Sequence, residues 1–159
     1  MKSLVIVASL FLAVNALDKE FIDNFVTKVK AIGEECIPET SASKDDINNL
    51  LSFTVPSSHE GKCLIFCFHK HFHIQNEDGS LDKAGALQAL QPLKEHDSDV
   101  YDKVVKVFQT CADQAATDSD PCIYSANLVE CALKEGKAVP KSESFVKATY
   151  LRLVTDGTA

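Results

Sequence analysis

The chain has 159 residues, of which 45% are apolar and 25% charged, with a formal charge of −7 and six cysteines. That length suits one domain. The acidic balance disfavours phosphate backbones and anionic bilayers as partners, so neither nucleic-acid binding nor membrane insertion is expected.

The first sixteen residues, MKSLVIVASLFLAVNA, join Lys2 to an apolar run from Leu4 to Val14 and a small-residue ending, Val14-Asn15-Ala16. The run is too short to cross a bilayer and reads as a secretory signal peptide cleaved after Ala16. Residues 17–159 then form a single extracellular domain, whose charge becomes −8 with the loss of Lys2. No Asn-x-Ser/Thr sequon occurs, so no glycan is expected.

Pro38, Pro56, Pro92, Pro121 and Pro140 fall between apolar-periodic segments and read as helix punctuation. Between them the periodicity predicts helices over 18–36, 44–53, 58–73, 81–91, 98–115, 122–135 and 143–154. Ser80 offers a cap for the fourth. In the fifth, Val100, Val104, Val107, Phe108 and Cys111 step along one face. Asp120-Pro121 supplies a cap and a first-turn proline for the sixth. In the tail, Val146, Tyr150, Leu153 and Val154 form a stripe with Phe145 beside it. No segment alternates strictly with β-branched enrichment, and the expected fold is all-α.

The third helix carries the densest chemistry, GKCLIFCFHKHFHIQNEDG from Gly61 to Gly79. His59, Cys63, Cys67 and His71 form a ladder of four-residue steps. It spans about 18 Å, whereas one zinc needs ligands at about 2.0–2.3 Å, so no metal site is expected. His59-Glu60-Gly61-Lys62 begins the H-E-x-x-H pattern but meets Cys63 where the second histidine belongs. Cys-x3-Cys is not the redox Cys-x-x-Cys. A calcium loop around Gly79 would put Ile74 and Gly85 at ligand positions, so this stretch reads as a turn with Gly79 at positive φ. His69, His71 and His73 cannot share one helical face. They are candidates for a pH response, although no partner carboxylate is evident. No nucleophile elbow or phosphate-binding glycine loop is present, and no enzymatic activity is expected.

Six cysteines in an exported chain imply three disulfides, with fifteen pairings open. Cys63 and Cys67 lie one helical turn apart with roughly parallel side chains and do not pair. Cys122 and Cys131 lie about 13 Å apart along one helix, on opposite faces. Ten pairings remain, and all of them tie the 58–73 helix to two other places.

The cysteine spacing C-x26-C-x3-C-x43-C-x10-C-x8-C resembles that of the six-cysteine insect odorant-binding proteins, the pheromone and general odorant-binding family, over the whole mature length. The x43 interval lies at the long edge of the family's range. The resemblance implies the pairing Cys36–Cys67, Cys63–Cys122 and Cys111–Cys131, and a bundle of six or seven helices around an apolar cavity. Each closed loop contributes roughly 3–4 kcal/mol by chain entropy, without simple additivity. It also implies a noncovalent carrier of small hydrophobic molecules: odorants or pheromones first, or fatty acids and terpenoids. Needing no cofactor, the carrier acts in extracellular fluid as a monomer or weak dimer, with a chemosensory receptor as a further partner. Phe53, Leu87, Leu90, Val104, Phe108 and Leu128 lie on segments that the family places around its pocket, and Phe145 and Tyr150 lie on a tail that often walls it. The same fold elsewhere carries hormones, lipids or amines, and a secreted protein-binding effector is the rival from another class. A saposin-like membrane-active protein shares the cysteine count, but not the spacing.

Overall fold

The computed structural model describes residues 19–136. The expected signal peptide, the helix expected over 143–154, Phe145 and Tyr150 lie outside them. Within the described residues the chain forms seven helical segments: α1 Lys19–Thr40, α2 Lys44–Leu51, α3 His59–His71, α4 Lys83–Ala89, α5 Gln91–His96, α6 Ser98–Gln114 and α7 Pro121–Glu135. The extended pairing among them is a single antiparallel bridge, Gln75 with Leu81, which closes the turn after α3. The all-α expectation holds.

Short polar side chains start most of these helices. Ser43 caps α2 in a reciprocal box with Asp46, Ser58 caps α3 through the Gly61 N–H, and Asp97 caps α6 through the Val100 N–H. Asp120 caps α7 through the Cys122 N–H at 2.8 Å, with Pro121 in the first turn. Three local expectations need correction. The cap of α4 is Asp82, which accepts from the Gly85 N–H at 2.8 Å; Ser80 instead donates its N–H and hydroxyl to Asp78 inside the preceding turn. Pro38 lies within the last turn of α1 and does not separate helices. The helix forgoes one bond to the Glu34 carbonyl there, beside an exposed residue, while Thr40 Oγ1 donates to the Cys36 carbonyl at 2.8 Å. Pro92 opens a helix that periodicity missed, α5, because a ring that fixes φ near −65° is favourable in a first turn.

Helix α3 is the hub of the bundle. It packs most extensively on α7, then on α1 and α2, while α6 links α7 to α5. Its inner face joins Leu64 and Cys67 to Ile32 and Cys36 of α1 in one buried cluster, with Phe68 and Phe72 against it. Leu64 is 2% exposed, a burial worth roughly 1.5–3 kcal/mol. The disulfides are Cys36–Cys67, joining α1 to α3, Cys63–Cys122, joining α3 to α7, and Cys111–Cys131, joining α6 to α7. The family-implied pairing is therefore the one formed, and the 58–73 segment does reach two other places.

Candidate ligand-binding site

Five of the residues expected at the ligand site lie on consecutively packed elements. Leu87 is on α4, Leu90 links α4 to α5, Val104 and Phe108 stand one turn apart on α6, and Leu128 is on α7. Leu128 is buried, whereas Leu87, Leu90, Val104 and Phe108 are half-buried. Of the five-residue stripe on α6, Cys111 alone is fully buried. An amphipathic helix normally hides such a stripe entirely; here it remains partly open.

Phe53 differs from these residues in exposure and backbone. It follows α2 in left-handed backbone at φ +55° and is 55% exposed. Ser41 and His73, at φ +57° and +54°, similarly end α1 and α3. All three occupy a conformation usually left to glycine; the periodicity ended the second and third helices at Phe53 and His73, whereas α1 runs to Thr40, beyond the expected end at Cys36.

Polar groups beside the apolar positions escaped the sequence reading. Gln91 Nε2 donates to the Tyr101 hydroxyl at 3.1 Å, and Lys94 lies over the Tyr101 ring, 5.3 Å from its centre. Deeper, His69, Gln75 and Ser125 form a buried network. His69 Nδ1 lies 2.7 Å from Gln75 Oε1, and Gln75 Nε2 donates to the Gly79 carbonyl at 2.9 Å. The second bond orients the amide, so Nδ1 carries the hydrogen on His69. Ser125 Oγ lies 2.6 Å from Gln75 Oε1 and 2.7 Å from the Pro121 carbonyl. Burial lowers the His69 pKa to about 4, partly offset by the Gln75 bond. No periodicity pairs residues 69, 75 and 125, and only the α3–α7 contact brings them together.

The other histidines differ. His71 Nε2 lies 3.7 Å from Glu35 Oε2, which supplies a carboxylate that the sequence could not name. His73 is exposed, and the His96 ring lies on Phe21 with centres 4.6 Å apart. The ladder of possible zinc ligands resolves into two separate clusters, Cys36–Cys67–His71 and His59–Cys63–Cys122. Within each, the two sulfurs are bonded to one another and present no thiolate.

A surface cleft of about 480 Å³ opens beside α3, lined by Glu39, His59, Glu60, Cys63, Phe66 and Lys70 among others. None of the expected ligand residues borders it, and its mixed polarity is unlike an apolar cargo site. No helix among the described residues is long and apolar enough to cross a membrane.

Comparison with known proteins agrees with this architecture. General odorant-binding protein 19d of Drosophila melanogaster is 31% identical over 106 residues, 67% of this chain and 70% of the relative. General odorant-binding protein 28a of the same fly is 25% identical over 112 residues, 70% of this chain and 78% of the relative. The solved structure of the Drosophila odorant-binding protein dmelOBP28a superposes with a TM-score of 0.62 at 23% identity, covering 73% of this chain and 95% of its own, a likeness of fold alone. The sequence profile of the PBP/GOBP family matches residues 18–135, from the first helix to the end of α7. Six cysteines in three disulfides, a helical bundle over the described residues and this match together show that the chain belongs to the PBP/GOBP family.

Proposed function

We propose that the protein is a secreted carrier that takes up small apolar molecules, odorants or pheromones foremost, and ferries them noncovalently through aqueous fluid. The observation that carries this reading is the half-buried apolar stripe of α6, together with half-buried Leu87 and Leu90 on the α4–α5 segment that leads into it. Stapled helices hold this surface in place without hiding it, and an apolar guest that covers it is stabilised by desolvation. Family membership supports a small-ligand carrier. The signal-like N-terminus supports secretion.

Titrating the oxidised, delipidated protein with a fluorescent apolar probe tests the reading. Saturable micromolar binding, displaced by odorants, terpenoids or fatty acids, is expected. Phe108→Ala should weaken it roughly tenfold, the worth of one lost apolar side-chain contact. Absence of saturable binding would move the reading to a protein-binding effector.

A further inference from the structure

We propose that the Cys63–Cys122 disulfide is a site of thiol–disulfide exchange with small thiols, with His59 as its acid–base group and Asp120 as the positioning residue. None of the residues proposed to hold an apolar ligand lines the cleft beside this disulfide.

The geometry is local and complete. His59 precedes Cys63 by one helical turn, so both project from the same face of α3. His59 Nδ1 lies 3.6 Å from Cys63 Sγ, and His59 Nε2 lies 2.8 Å from Asp120 Oδ2. A ring nitrogen and both sulfurs fall within 4.8 Å of one another, so one imidazole serves either sulfur. Asp120 also accepts the Cys122 N–H at 2.8 Å, which ties the ring to the helix that bears the second sulfur. Cys63 and Cys122 both line the 480 Å³ cleft, and the His59 side chain is 58% exposed. Glu39, Glu60 and Lys70 are the other charged groups facing this cleft, with Lys70 paired to Glu39 at 3.7 Å and to Glu77 at 3.1 Å.

The other two disulfides lack one part each. Cys36 and Cys67 have His71 nearby, and Cys67 also borders the cleft, but the two are 0% and 1% exposed, whereas Cys63 is half-buried and offers its sulfur to an incoming thiol. Cys111–Cys131 belongs to no comparable histidine or carboxylate cluster among the described residues.

The exchange balances as follows. A small thiol enters the cleft and gives its proton to His59. Its sulfur attacks Cys63 Sγ and forms a mixed disulfide. The Cys63–Cys122 bond breaks, its electron pair leaves on Cys122 Sγ, and that sulfur takes the proton from the imidazolium, which Asp120 stabilises. A second thiol attacks the mixed disulfide, releasing Cys63 as a thiol and the small disulfide as product. Two small thiols lose two electrons and the protein disulfide gains them. Opening this bond removes the covalent tie between α3 and the first turn of α7.

The test exposes the full oxidised chain to reduced glutathione at pH 7, quenches with iodoacetamide at intervals and maps each cysteine by peptide mass spectrometry. Cys63 and Cys122 should become modified at least about tenfold faster than the other four cysteines. His59→Gln should slow that step by roughly tenfold, less than the usual acid–base contribution because a small thiol is already partly ionised at neutral pH, and leave the other disulfides unchanged. Asp120→Asn, which keeps a side-chain oxygen for the cap, should slow it with the same selectivity. Earlier opening of Cys111–Cys131, simultaneous loss of all three disulfides, or a His59→Gln rate equal to the native one would overturn the proposal.

Discussion

His69 shows what desolvation does to an imidazole. Its folded pKa, about 4, lies below the ordinary 6.5, so the unfolded chain binds more protons than the folded one between those values. The stability that this group contributes is present above pH 6.5 and falls away as the pH drops toward 4, by about 3 kcal/mol over that window. Denaturant titrations at pH 7 and pH 4.5 should show the decline. His69→Phe, which leaves Gln75 Oε1 its Ser125 donor, should be about 1 kcal/mol less stable at pH 7 and have a flatter pH profile. An equally steep profile in the variant would assign the acid lability to other groups. Phe53 poses a different residue-scale question, since it is both exposed and at φ +55°. Phe53→Gly relieves that backbone at some cost in unfolded-state entropy, so a stability gain of up to about 1 kcal/mol is expected on thermal melting. If the same variant keeps full probe affinity, Phe53 lies outside the ligand site.

At the scale of elements, the junction of α2 with α3 is the most tightly specified. Asp46, buried in the first turn of α2, accepts Ser43 N at 2.9 Å and Ser43 Oγ at 2.6 Å, and its other oxygen takes Ser58 Oγ, the cap of α3, at 2.5 Å. These bonds, the Ser43 hydroxyl first, hold the Asp46 carboxyl below its usual pKa. Gly61 of α3 sits over this lock: a Cβ there would strike the fully buried Pro56 and come within 2.6 Å of Asp46 Oδ1. In an open helix Gly→Ala stabilises by roughly 1 kcal/mol. Here the sign reverses, and Gly61→Ala should cost about 1–3 kcal/mol through overpacking, as measured by denaturant unfolding.

For the whole molecule, three disulfides divide the bundle into joined parts: two fasten α3 to α1 and α7, and the third holds α6 on α7. The last closes a loop of 20 residues, so removing it as Cys111→Ala/Cys131→Ala should lower stability by about 3 kcal/mol. It also anchors the helix that carries Val104 and Phe108. Probe affinity should therefore fall in that double variant even at temperatures where circular dichroism shows the helices intact.

Much of this was legible in the chain itself. The helical class, the cap at Asp120, the positive φ of Gly79 (+82°) and the cysteine spacing that marks the family are local properties, set by a few adjacent residues or by intervals along the chain. The choice among ten pairings was not local, because it depends on which helices α3 meets, and the family resemblance rather than geometry supplied it. What tertiary structure alone decided lies between distant segments: the His69–Gln75–Ser125 network, the His59–Asp120 contact across 61 residues and the partial cover of the α6 stripe. The physical reason is that hydrogen bonding, pKa and burial are properties of an environment. For the two polar contacts that environment is assembled by α7 folding back on α3, and for the stripe by α6 packing on α5 and α7, which no window of sequence contains.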